Sequence, residues 1–178
     1  ALDMFLHEKD KDKLYYYLNL YEDEPALAFP KIKFYDPYRY QIMNFEAILL
    51  NKRKFRDIKL NGGGDLCLPT LNGNLLEVPR INFVKIPLYN YDTTFRTKSV
   101  IAHDRARFAR AWNREFGNYG DRGGGLPEEA FEAWFEMVKE RYKNHTNNFD
   151  ISSHPKFIKQ NLKELKAEQF GYNLFNLK

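Results

Sequence analysis

The chain opens on an alternating charged run, Glu8-Lys9-Asp10-Lys11-Asp12-Lys13. It gives way to a tyrosine-rich stretch in which Leu14, Tyr16, Leu18 and Leu20 fall on one parity. Two-residue periodicity and tyrosine density favour a strand over residues 14–21, although the run would also tolerate a helix. Glu22-Asp23-Glu24 and Pro25 end it, and Pro30 and Pro37 bracket a short extended piece over residues 31–35. Residues 38–50 alternate as a second strand, with Tyr40, Ile42 and Asn44 on one side and Arg39, Gln41, Met43 and Phe45 on the other. A third strand is predicted over 55–60 and its hairpin partner over 65–71. Their breaks are Asn61-Gly62-Gly63-Gly64 and the strong turn pair Asn72-Gly73.

Beyond residue 75 the pattern changes. Pro79, Pro87 and the polar run Asn90-Tyr91-Asp92-Thr93-Thr94 leave only short extended pieces, so residues 79–98 read as a long ordered connector. Ser99 is the expected cap of a helix over 100–116, with Ile101, Phe108, Trp112 and Phe116 sharing a face at helical spacing. The glycine-rich run Gly117 to Gly125 breaks it. Pro127, Glu128 and Glu129 at the start and Lys139, Arg141 and Lys143 at the end suit the dipole of a second helix, whose stripe is Ala130, Phe131, Trp134, Val138 and Tyr142. Ser152 or Ser153 with Pro155 starts a third, with Ile158, Leu162 and Leu165 on one face, followed by an aromatic tail of Phe170, Tyr172 and Phe175. The expected class is α+β. A small β-rich core over 1–78 is followed by the connector over 79–98 and a three-helix C-terminal extension over 99–178.

At 178 residues the chain has the size of one ordinary domain with an appendage. A 43% hydrophobic content, with 15 Phe and 12 Tyr, is too apolar for a disordered chain. The net charge of +4 and a pI near 9.0 favour contact with polyanions. Cys67 is the single cysteine, which excludes an internal disulfide and a cysteine-cluster zinc site and suits a reducing compartment inside the cell. No stretch approaches the roughly 20 apolar residues needed to span a bilayer. Ala1 in first place is open to three readings: a removed targeting segment, a trimmed chain or loss of the initiator methionine. It serves only as a tie-breaker toward the mitochondrial matrix over the cytoplasm.

The most structured polar feature is one side of the first C-terminal helix, where His103, Arg107, Arg110 and Arg114 recur at steps of three and four. Stacked guanidinium forks suit phosphate oxygens or an acidic partner, and the plain alternative is a solvated face balanced by Asp104 and Glu115. A second basic run, Lys52-Arg53-Lys54 with Arg56 and Lys59, sits at a strand connection and could reach a phosphate backbone. Tyr35, Tyr38 and Tyr40 nearby could stack on unpaired bases, or simply pack in a strand. Trp112 and Trp134, with Phe175, are candidates for packing against a partner. Neither glycine run carries the Lys-Ser/Thr of a nucleotide loop, so both read as turns. His7, His103, His145 and His154 have no paired ligand spacing, and surface or capping roles are expected for them. Asp57 and Lys59 could form half of a metal-dependent nuclease site. No catalytic residue, metal, cofactor or small-molecule substrate is assigned.

Residues Phe29-Pro30-Lys31-Ile32-Lys33-Phe34-Tyr35-Asp36-Pro37, followed by a strand and by Leu60-Asn61-Gly62-Gly63-Gly64-Asp65-Leu66-Cys67-Leu68-Pro69-Thr70-Leu71, carry a family resemblance over about a quarter of the chain. The segment resembles the thioredoxin-like module shared by certain mitochondrial ribosomal proteins and a small accessory subunit of respiratory complex I. Asp36-Pro37 stands where that family usually has Asn-Pro. The resemblance implies a structural role without catalytic residues: a mitochondrial ribosomal protein touching rRNA and neighbouring subunits, or else a respiratory-complex subunit. A metal-dependent nuclease is the enzymatic alternative, and a module holding a partner helix against Trp112 and Trp134 is a third.

Overall fold

The computed structural model describes residues 4–61, 68–76 and 82–172. The fold is α+β, as expected. It divides into two compact units: residues 1–33 with 42–90, and residues 34–41 with 91–178. The boundary does not follow the expected division into 1–78, 79–98 and 99–178, because one long β-hairpin contributes to both units. That hairpin is β2 (Ala26–Asp36) and β3 (Arg39–Leu50), joined by the two residues Pro37 and Tyr38.

The first unit holds β1 (Met4–Leu6), α1 (Lys11–Leu20), most of the hairpin, the small antiparallel sheet β4 (Lys59–Asn61), β5 (Leu68–Leu71) and β6 (Asn74–Leu75), then β7 (Asn82–Phe83) and β8 (Leu88–Asn90). Its main sheet runs β1-β8-β2-β3, with β8 antiparallel to β1 and parallel to β2. Successive β2 residues bury on opposite faces. Leu27 and Phe29 pack with Val84, Ile86 and the helix residues Leu14, Tyr17 and Leu18, while Ala26 and Ala28 pack with Ile48, Phe55, Ile58 and Leu71. Both faces are covered, so the strand start is apolar without a break. Pro30 lies inside β2 rather than at its edge. It falls between the partners β7, which meets Leu27 and Ala28, and β8, which meets Lys31 to Lys33, so its missing N–H interrupts neither ladder.

Three expectations are corrected here. Residues 14–21 form most of a helix instead of a strand. Leu14, Tyr17, Leu18 and Tyr21 recur at three, four and seven, and these side chains reach the apolar sheet face, leaving Tyr15, Tyr16 and Leu20 exposed. The charged run supplies the start of that helix, with Asp10 at its cap position and Asp12 in its first turn. Within 55–60 the strand begins only at Lys59, because Lys52 to Lys54 and Arg56 with Asp57 are turns. And Leu88–Asn90, expected within a connector, is hydrogen-bonded on both sides as an interior strand. The Asn72-Gly73 turn holds, both residues taking positive φ (51° and 78°), which closes β5 on β6. The Gly62-Gly63-Gly64 break, Cys67, Pro79 and Phe175 lie outside the described residues.

The second unit is built on an antiparallel helix pair, α3 (Lys98–Phe116) and α4 (Pro127–His145), with the short helices α2 (Asp92–Phe95) and α5 (Lys156–Lys163) and the two-residue strand β9 (Asn147–Asn148) beside β3. Ala106, Ala109 and Ala130 line the close approach of α3 and α4. Ile101 and Ala102 meet Phe131, Trp134 and Val138 further along; of the five stripe residues expected on α4, Ala130, Phe131, Trp134 and Val138 are buried and Tyr142 packs partly buried against them. The cap of α3 is Thr97 instead of Ser99, since its hydroxyl accepts from the Val100 N–H at 3.3 Å while its backbone is still extended. Gly123 takes a positive φ of 73° and passes so close to α4 that a Cβ there would lie 2.3 Å from the Glu129 carbonyl oxygen, which requires glycine in that loop.

The hairpin tip, residues 34–41, belongs to this unit. Tyr35 packs in the α3–α4 core. Phe34 faces the other way, stacked on Tyr91 at 4.7 Å and edge-on to Phe149. His154 completes that second cluster and is fully buried, which corrects the expectation of a surface histidine. Its Nε2–H donates to the Pro37 carbonyl at 2.7 Å, and its Nδ1 lies 2.7 Å from the Tyr91 hydroxyl.

Two outcomes follow for stability. His154→Ala leaves a buried cavity and removes the contacts to the Tyr91 hydroxyl and the Pro37 carbonyl, and is expected to lower unfolding free energy by about 3 kcal/mol in urea titration. Gly171 packs against α2 so tightly that a Cβ would sit 2.6 Å from the Thr94 carbonyl oxygen. Gly171→Ala is therefore expected to cost about 1–3 kcal/mol and to speed hydrogen exchange at the Phe170 amide, which donates to the Arg96 carbonyl at 2.7 Å.

Candidate nucleic-acid interface

α3 presents its basic residues as the spacing predicts. At 100° per residue His103, Arg107, Arg110 and Arg114 fall within a sector of roughly 60°, away from the buried Ile101 and Ala109, while the buried Ala106 borders it about 40° from Arg110. All four are exposed. They are not equally available. Arg110 donates to the Gly125 carbonyl at 2.6 Å and so pins the glycine loop, and His103 Nδ1 lies 2.9 Å from the Ser99 carbonyl. Arg107 meets Asp104 at 3.1 Å, but the same carboxylate is already held by Arg96 at 2.5 Å, so the sector keeps net positive charge. Arg114 has no polar partner among the described residues.

The apolar row expected on this helix divides. Ile101 is buried, whereas Phe108 and Phe116 are 44% and 54% exposed, and Trp112 is half-buried between them. α4 covers the alanine side of the helix instead, because small residues let two backbones approach where three aromatic rings could not. Above Trp112 sits Arg122 from the Gly120–Arg122 turn. Its guanidinium lies 3.5 Å from the Trp112 ring centre and 5.3 Å from that of Phe108. Sequence reasoning missed Arg122, and its only signal was a lone arginine inside a glycine run.

The second basic run is largely spent within its own unit. Lys54 pairs with Asp23 at 2.7 Å and Glu22 at 3.7 Å, and hydrogen bonding to Asp23 holds its ammonium pKa above the usual value. Lys52 donates to the Ile58 and Arg56 carbonyls at 2.8 and 3.3 Å. The Lys54 pairs tie the 51–58 turn to the acidic residues that follow α1, beside a cleft of about 420 Å³ lined by Glu22, Glu24, Asn51 and Lys52 among others. Arg53 and Arg56 remain exposed. Of the tyrosines considered for stacking, Tyr35 is buried and Tyr40 is half-buried against Phe34 and Phe149, while Tyr38 is exposed. Trp134 is only 7% exposed, so it packs its own core rather than a partner. Asp57 is exposed on a turn. Among the described residues no group of three or more His, Cys, Asp and Glu gathers to hold a metal ion. No helix among them is long and apolar enough to cross a membrane.

No protein-family model, curated protein or solved structure matches the chain. The thioredoxin-like resemblance therefore rests on the quoted residues alone.

One polar cluster beside the hairpin tip makes a pH-dependent prediction. Tyr142 donates to Asp36 Oδ2, whose other oxygen accepts the Tyr38 N–H at 2.7 Å, and burial together with the Asp36 hydrogen bond pushes the phenol pKa well above its ordinary value of 10.0. A folded-state pKa raised above the unfolded one contributes stability that is complete below about pH 10 and is lost as pH rises toward the folded value. Wild type is expected to lose stability above about pH 10 more steeply than Tyr142→Phe. Chemical denaturation at pH 9, 10 and 11 checks this, and parallel slopes for the two proteins would contradict it.

Proposed function

We propose that the protein is an RNA-binding structural subunit of a larger assembly, holding phosphates on the arginine face of α3. The observation that carries this reading is the exposed sector of His103, Arg107, Arg110 and Arg114 on a 19-residue helix whose alanine side is anchored by α4. Planar guanidinium forks set at three- and four-residue steps on a rigid element match an extended row of phosphates better than a single small anion. The overall charge of +4 acts in the same direction by drawing polyanions to the surface. The resemblance of residues 29–71 to the ribosomal and complex I module makes the mitochondrial ribosome the first assembly in which to look, and a respiratory complex the second.

Filter binding to RNA across a salt series tests the face directly. Replacing both Arg107 and Arg114 by alanine is expected to reduce the slope of log affinity against log salt by about 1.4, the loss of two phosphate contacts on a single strand. An unchanged slope would remove α3 as the contact. Sedimentation of native extracts tests the assembly, with the untagged protein expected to travel with ribosomal particles and to leave them at high salt.

A further inference from the structure

We infer that the outer edge of β3, over residues 42–50, receives an extended strand from another protein, apolar along its length and carrying a basic residue near its middle. The edge lies in the first unit, apart from the phosphate-binding face proposed for α3. Among the described residues β3 has β2 on one side and on the other meets only the two-residue β9, at Arg39 and Tyr40. The Phe149 N–H donates to the Tyr38 carbonyl at 2.7 Å, so in this antiparallel pair Tyr38 and Tyr40 turn their backbone groups outward, and Arg39 and Gln41 turn theirs toward β2. The same alternation places the N–H and C=O groups of Ile42, Asn44, Glu46, Ile48 and Leu50 on the outer edge. Asn51 keeps to it at the far end, its N–H turned inward to the Pro25 carbonyl at 2.9 Å.

Native sheets keep their edges short or guard them with lysine, proline or a bulge, because a row of free N–H and C=O groups templates another strand. β1, at the opposite edge of this sheet, is three residues long. β3 runs for twelve, and its stretch Ile42-Met43-Asn44-Phe45-Glu46-Ala47-Ile48-Leu49-Leu50 has no lysine, proline or glycine and a single charge. Ile42 and Leu49 are 52% and 41% exposed. An extended chain supplies donors and acceptors at the same repeat as this edge, whereas a helix spends its own internally. Charge then decides between a foreign strand and a second copy. Two copies paired antiparallel over the whole stretch would set Glu46 opposite Glu46, a destabilising match, and each would bring a net charge of +4. A strand with lysine or arginine at that position meets Glu46 with the opposite sign.

The experiment adds a short blocked peptide, valine and threonine alternating around a central lysine, to the full chain and reads backbone amide exchange. Exchange at Ile42, Ile48 and Leu50 is expected to slow about tenfold or more, while Met43 and Leu49, whose amides the alternation turns toward β2, stay unchanged. The same peptide N-methylated throughout has no N–H to donate and is expected to bind about tenfold more weakly or worse. A central glutamate in place of the lysine is expected to weaken binding about threefold. Ile42→Pro removes one outward N–H and leaves the β2 ladder whole, so it also weakens binding, and the methylated peptide makes the same comparison on the unaltered chain should that variant fail to fold. Arg107→Ala with Arg114→Ala leaves peptide binding unchanged. Outward amides that do not slow, or equal binding of the methylated peptide, overturn the inference. Equal binding of the glutamate peptide overturns the basic partner. Sedimentation of the free chain as a dimer, with the outward amides slowing as its concentration rises, gives the edge to a second copy and overturns the foreign strand.

Discussion

The tip of the β2–β3 hairpin is the constraint on which the second unit depends. Two adjacent residues, Phe34 and Tyr35, are both fully buried and, as neighbours in a strand must, point in opposite directions. One enters an aromatic cluster with Tyr91, Phe149 and His154, the other the core between α3 and α4. A shift of one residue in the strand would turn both rings to the wrong face and bring Lys33 or Asp36 into one of the two buried sites. The turn is fixed from both ends. His154 donates to the Pro37 carbonyl, and Asp36 accepts from both the Tyr38 amide and the Tyr142 hydroxyl.

The helix pair built around Tyr35 sets the surface of α3. Because Ala106, Ala109 and Ala130 bring α3 and α4 close, the buried side of α3 is its alanine side, and both the arginine sector and the aromatic row are left outside. The interface is therefore a consequence of packing by small residues. Its residues stand on a helix held at its start by the Thr97 cap and the Arg96 contact with Asp104, and at its end by Gly117, whose N–H donates to the Asn113 carbonyl at 2.8 Å. Side chains on such an element keep their spacing when a ligand arrives, which a loop of the same composition could not ensure.

The sequence was legible where one periodicity was unopposed. The stripe on α4 from Ala130 to Tyr142, the Pro127 start with its acidic first turn, the arginine spacing and the Asn72-Gly73 turn could all be read from local rules, since each depends on neighbours within a few residues. Residues 14–21 misled because leucine and tyrosine occupy nearly every position, so a two-residue and a 3.6-residue pattern are both present. The choice fell to the apolar face of β2 with Val84 and Ile86, distant in the chain. His154 misled for the same reason, as its partners Tyr91 and Pro37 are 63 and 117 residues away. The second basic run looked free in sequence, but the acidic turn that pairs with Lys54 precedes it by some thirty residues.

What the chain determined by itself was the inventory of helices after residue 97, the turns, the basic sector and the α+β class, all properties of short-range spacing and composition. Tertiary structure alone decided which face of α3 would be covered, that Trp134 would be core while Phe108 and Phe116 stayed in water, and that Arg122 would come to rest on Trp112. Those outcomes depend on which surfaces fit closest together in space, and burial is won by the best-packed pairing of faces rather than by the most apolar row on any one of them.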